Sequence, residues 1–96
     1  MKEKDFQSFL ISKIHERWPE SIVLKNDANY IQGIPDLLVI NGRNWGALEL
    51  KRSKTALHRP NQDFYVGKLD AMSFCRFVYP ENVEEVLDDM ALSWQS

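Results

Sequence analysis

Cysteine is nearly absent from this sequence. Cys75 stands alone, which excludes an internal disulfide, and no Cys/His group has the spacing of a zinc site. A reducing, intracellular setting, the cytoplasm, is the expectation that follows. No apolar run is long enough to span a bilayer, so no membrane partner is expected. The opening residues 1–9 are charged and amphipathic, unlike a signal peptide. Internal repeats, low-complexity tracts and linkers are missing as well. The 96 residues therefore read as one domain, 1–96, with a workable but thin core. No known sequence-specific DNA-reading motif appears.

Basic residues are missing from one region. Residues 81–96 hold five acids (Glu81, Glu84, Glu85, Asp88 and Asp89) and no lysine or arginine. The net charge is −2, yet residues 1–80 carry 12 bases against 9 acids. A basic run, Lys51, Arg52 and Lys54 followed by His58 and Arg59, can contact phosphate. On charge alone it also reads as a solvated loop.

Phe6, Phe9, Leu10, Ile14 and Trp18 recur at helical spacing, which predicts a helix over 3–18 stopped by Pro19. Residues 21–24 read as a short strand, and 26–34 as a loop punctuated by Gly33 and Pro35. Residues 36–40 and 45–51 read as paired strands about an Asn41-Gly42 turn. Pro60 suits the first turn of a second helix running to about Met72. Its inner face is predicted to hold Gln62, Tyr65, Leu69 and Met72. A strand over 74–79 and a third helix from Glu81 to about Ser93 complete the order α-β-β-β-α-β-α. The fold class is α/β, a mixed, partly antiparallel sheet flanked by helices.

Charge inside the apolar strands is the informative feature. Asp36 opens a run of Leu37, Leu38, Val39 and Ile40, while Glu49 and Lys51 interrupt Ala47, Leu48 and Leu50. Side chains alternate faces along a strand, so Glu49 and Lys51 share one. An even-numbered turn puts Asp36 on that same face, opposite Glu49 or one step diagonal to it. Two such carboxylates suit a hard divalent cation, Mg²⁺ or Mn²⁺, with the backbone carbonyl of Leu50 as a further ligand. Phosphodiester hydrolysis needs an activated water and a cation against transition-state charge. Lys51 can orient or deprotonate that water, or stabilise the transition state. The bland alternative is an edge salt bridge from Lys51 to either acid.

Gly33-Ile34-Pro35-Asp36-Leu37, Glu49-Leu50-Lys51, Gln62 and the Glu3-Lys4-Asp5-Phe6-Gln7 opening together resemble the PD-(D/E)xK nuclease superfamily. Within it, they are most similar to the VRR-NUC group of virus-type replication and repair nucleases. The resemblance covers nearly the whole chain and implies a restriction-endonuclease-like fold. It implies Asp36 and Glu49 as metal ligands, Lys51 as catalytic and Gln62 as supporting the site. Read without it, Gln62 is an ordinary first-turn polar residue. The family often has a glycine between the second helix and the next strand. Residues 70–74 here, Asp-Ala-Met-Ser-Phe, depart from that.

Helical phase places Glu3 at about 60°, within the apolar stripe running from Phe6 to Ile14. An inward carboxylate needs a partner, which makes Glu3 a candidate fourth site residue and metal ligand. The alternative is a first-turn acid serving only the helix dipole. Trp18, Trp45 and Trp94 read as core or interface, Cys75 as a buried small hydrophobe, and Tyr30 as able to stack on a base.

The function expected is a Mg²⁺- or Mn²⁺-dependent endodeoxyribonuclease. By resemblance it is selective for branched DNA in the manner of a Holliday-junction resolvase, and of phage or mobile-element origin. Arg52, Lys54, His58 and Arg59 are the candidate DNA contacts. A homodimer would suit paired cuts. The stripe Val83, Val86, Leu87, Met90 and Trp94 offers either a dimer face or packing on its own sheet. The alternatives are a less selective nicking or degradative nuclease, a non-catalytic nucleic-acid-binding module, and an α/β interaction domain with hairpin salt bridges.

Overall fold

A computed structural model describes residues 1–95. The elements follow the order read from the sequence. Helix α1 spans Glu3–Arg17, strand β1 Ile22–Lys25, β2 Leu37–Asn41 and β3 Asn44–Leu50. Helix α2 spans Pro60–Met72, β4 Cys75–Val78 and α3 Val83–Trp94, with a 3-10 turn at Pro80–Asn82 before α3. No helix among the described residues is long and apolar enough to cross a membrane.

The four strands lie in the order β1-β2-β3-β4. The first two pairings are antiparallel and β3-β4 is parallel. A parallel neighbour cannot be reached by a tight turn, and α2 supplies the crossover. Strand alternation then makes two faces. Leu37, Val39, Leu48 and Leu50 point into the larger core, against Phe6, Leu10 and Ile14 of α1 and Val83, Val86, Leu87 and Met90 of α3. Ala47 and Cys75 point to the other face, where Val66, Leu69 and Phe77 pack.

Two helix boundaries move for physical reasons. Helix α1 ends at Arg17 because Trp18 precedes a proline and takes φ −131°, ψ 80°, outside the helical region. Trp18 instead packs against Trp94, with ring centroids 4.8 Å apart and planes tilted by 59°. The third helix begins at Val83 rather than Glu81. Asn82 accepts from the Tyr79 N–H at 2.8 Å and donates to the Phe77 carbonyl at 3.2 Å, which holds 80–82 in a tighter turn. The helix-to-strand connection needs no glycine. Ser73 takes φ −152° and ψ −91°, outside the left-handed region that favours glycine, and its hydroxyl donates to the Trp45 carbonyl.

One packing expectation is corrected and one open choice is decided. Met72 is 62% exposed, and Val66 is the buried residue of α2. Counting 100° per residue, Gln62 lies about 40° from Val66 and Met72 about 120° away, so Met72 leaves the sheet-facing side. The α3 stripe is not a free dimer face. Val83, Val86, Leu87 and Met90 are all buried in the molecule's own core. Two of the α3 acids, Glu84 and Asp88, meet Arg17 of α1 at 3.2 and 2.5 Å.

Candidate active site

The hairpin sets the site. Asn41 pairs with Asn44, so Gly42 and Arg43 form a two-residue loop. Gly42 takes φ +64°, which the favoured hairpin turns require and which glycine adopts at no steric cost. The register runs from there to Leu37 opposite Leu48. Extended by one residue, that register sets Asp36 opposite Glu49, and the two carboxyls act on each other directly, which favours the opposite placement over the diagonal one.

Each carboxylate has its own surroundings. Asp36 is half-buried, and its Oδ2 accepts the Leu50 N–H at 2.8 Å. The N–H and C=O of one strand residue point the same way, so the Leu50 carbonyl also turns toward this side of β3. Glu49 is 4% exposed, and its Oε2 accepts from Gln62 Nε2 at 3.0 Å. Burial pushes the Glu49 carboxyl up to about 8, with help from the facing Asp36 charge and against Lys51. Burial also raises Asp36, while the Leu50 N–H and Lys51 pull it down and Glu3 pushes it up.

Gln62 and Lys51 complete a chain of contacts. Lys51 Nζ lies 2.5 Å from Gln62 Oε1 and 3.0 Å from the Leu57 carbonyl. The Arg59 N–H donates to the same Gln62 oxygen at 3.1 Å. The amide orientation is fixed by chemistry: its oxygen faces two donors and its nitrogen an acceptor. Among the described residues Lys51 forms no direct ion pair with a carboxylate, so the salt-bridge alternative is not what the side chains adopt.

Gly33 locks the approach to this cluster. It takes φ +87°, and a Cβ there would lie 2.5 Å from Asn61 Cβ. Only glycine lets the 26–34 loop press on the first turn of α2, beside Gln62. That loop and the start of α2 bound a cleft of about 510 Å³.

The outlying candidates divide. Glu3 is exposed, in the first turn of α1. Its charge reaches Asp36. Yet among the described residues no group of three or more His, Cys, Asp or Glu gathers to hold a metal. Arg52, Lys54, His58 and Arg59 are all exposed. The His58 ring, however, stacks on Phe77 at 3.8 Å and meets Asp63 at 3.1 Å. Sequence reading missed Phe77 because an aromatic in an apolar strand signals only core. Tyr30 is 85% exposed on the loop above the site, and Cys75 is buried.

A divalent cation fits this donor set. Two buried or half-buried carboxylates face each other, and Gln62, Lys51 and the backbone N–H groups of Leu50 and Asp36 offset part of their like charge. Mg²⁺ commonly takes one or two carboxylates and keeps several waters, so two side-chain ligands and a carbonyl suffice.

Comparison with known proteins follows from this geometry. No family model matches the chain, and no curated protein matches it. A solved structure described as a VRR_NUC domain does match, with a TM-score of 0.64 and 20% identity over 84% of this chain and 92% of that one. At that identity the match shows the fold: four strands in a mixed sheet flanked by helices, shared with a VRR_NUC domain.

Proposed function

We propose that residues 1–96 act as one nuclease domain, a Mg²⁺- or Mn²⁺-dependent DNA endonuclease. The single observation that carries this reading is Asp36 set opposite Glu49, with Gln62 joining Glu49 to Lys51. The shared fold with a VRR_NUC domain agrees with it.

Asp36, Glu49 and the Leu50 carbonyl are the proposed metal ligands. When bound, the ion lowers the pKa of water and offsets negative charge in the transition state. Lys51 is the proposed catalytic cation. Two of its three N–H groups are taken by Gln62 and Leu57, which leaves one to orient the attacking water or meet a phosphoryl oxygen. Gln62 fixes the Glu49 carboxylate and the Lys51 ammonium relative to each other. Glu3 acts from outside the ligand set, through its charge on Asp36. Arg52, Lys54 and Arg59 border the site and are suited to backbone phosphates, whose contacts position DNA without reading its sequence.

The preferred substrate is branched DNA, cut in the manner of a Holliday-junction resolvase by two copies acting as a homodimer. Labelled four-way junction, flap, nicked and linear duplex DNA, each with Mg²⁺, Mn²⁺ or EDTA, tests both levels. Junction cutting that EDTA abolishes is expected. No cutting with any metal would sink the nuclease reading, and equal cutting of linear duplex would sink branch selectivity. Light scattering with and without junction DNA tests the dimer.

A further inference from the structure

The loop that holds Lys51 and Gln62 is itself held by one ring stack. Leu57 supplies the carbonyl that accepts from Lys51, and Arg59 supplies the N–H that donates to Gln62. His58 lies between them. Its ring stacks on Phe77 at 3.8 Å and 18° between planes, and its Nδ1 lies 3.1 Å from Asp63 Oδ1. The side chain is only 34% exposed although the loop is on the surface. Phe77 stands opposite Glu49 in the β3-β4 pairing, and the Lys51 ammonium lies 5.9 Å from its ring centroid. Phe77 is thus a platform that carries His58 on its face and sits under the lysine.

We infer that His58, seated on Phe77, is a positioning residue for Lys51 and Gln62. This rests on the nuclease reading of the same site. Residues 57 and 59 are bound to active-site side chains, and residue 58 fixes both to the sheet. Without the stack, the segment keeps no contact with β4 through His58, and the Lys51 ammonium loses a fixed acceptor. Misplacing a reacting group by about 1 Å can cost about 100-fold in rate.

The test uses the full chain and labelled four-way junction with saturating Mg²⁺. His58→Ala is expected to lower kcat by about 10- to 100-fold with KM unchanged. His58→Phe, which restores an aromatic face, is expected to recover most of that loss. A rise in KM with kcat intact would make His58 a substrate contact and overturn the inference, as would failure of His58→Phe to rescue. Phe77→Leu, which removes the platform from the other side, is read the same way if His58→Ala does not fold. A second readout does not depend on cleavage. The ¹⁵N ammonium signal of Lys51, identified by its loss in Lys51→Arg, is expected to be slow-exchanging in the native chain. It should broaden in His58→Ala and return in His58→Phe. An unchanged signal in His58→Ala overturns the inference whether or not the protein cleaves DNA. The expected NMR pattern without any cleavage would count against the nuclease reading alone.

Discussion

Lys51 and Gln62, eleven residues apart and on different elements, meet at 2.5 Å, and the other end of the same amide holds Glu49 at 3.0 Å. A neutral side chain therefore separates a buried carboxylate from an ammonium that would otherwise pair with it. Direct pairing would occupy the lysine. The amide keeps it within reach of both partners while leaving one N–H unused.

Replacing that amide should be costly. Gln62→Ala is expected to lower single-turnover cleavage about 100-fold, the scale of losing one preorganised hydrogen-bond partner at a reacting centre. The helical content of α2 should survive, since Pro60 still begins it. Gln62→Glu should fare no better, because a third carboxylate replaces the donor facing Glu49. Unchanged rates in Gln62→Ala would remove it from the site.

Asp36 carries the opposite trade. Asp36→Asn keeps an oxygen for the Leu50 N–H and removes the charge facing Glu49. Cleavage should be lost, while thermal stability in EDTA should rise. Relief of about 1 kcal/mol would appear as about 4–8 °C in a domain of this size. Asp36→Ala loses the hydrogen bond as well and should not gain. Calorimetry on the two variants checks this, and a lower melting temperature for Asp36→Asn would contradict it.

The Glu49 carboxyl gives stability a pH dependence with a definite sign. Folded Glu49 holds its proton to about 8, whereas the unfolded carboxyl releases it near 4.5. Between those values the folded state binds more protons, so its contribution to stability is fully present below about pH 4.5 and lost as pH rises to about 8. In EDTA, the urea midpoint should therefore fall over that window. Glu49→Gln should flatten the dependence. Added Mg²⁺ should do so too, because binding favours the deprotonated carboxylate. A midpoint that rises with pH in EDTA would contradict the assignment.

Gly33 connects the two halves of the site. Gly33→Ala imposes a side chain at φ +87° and within 2.5 Å of Asn61. A destabilisation of about 1–3 kcal/mol is expected from such backbone strain. Cleavage should fall further than stability alone explains, since α2 carries Gln62. Denaturant melts beside single-turnover rates separate the two effects.

The central features of this site were legible because they break a local rule. Asp36, Glu49 and Lys51 are charges in, or directly flanking, strands that otherwise bury Leu and Val, and period-two alternation assigned them to one face. The exact pairing was not legible, because it depends on which two residues form the loop, and only the register opposes Asp36 to Glu49. For Glu3, helical phase gives direction about the axis but not burial at the helix's first turn, where Glu3 is exposed while its charge still acts on Asp36. Met72 misled because several spacings fit α2 equally well, and contact with β3 and β4 selects the one centred on Val66. The α3 stripe was read correctly as apolar, but sequence alone does not say whether an apolar stripe meets its own sheet or another molecule. The stacking of His58 on Phe77 left no signal, since the two become neighbours only through the β3-α2-β4 crossover.

The Gly42-Arg43 loop has no slack. Point changes at Arg43 leave the hairpin's count intact. A single-residue insertion or deletion between Asn41 and Asn44 would instead shift β3 by one step against β2. Glu49 and Lys51 would then turn into the core beneath α1 and α3, and Leu48 and Leu50 would turn out beside α2. No neighbouring substitution restores that. Across related chains, length in this segment should be far more constrained than identity, and a homologue with an odd count there should lack the facing of Asp36 and Glu49.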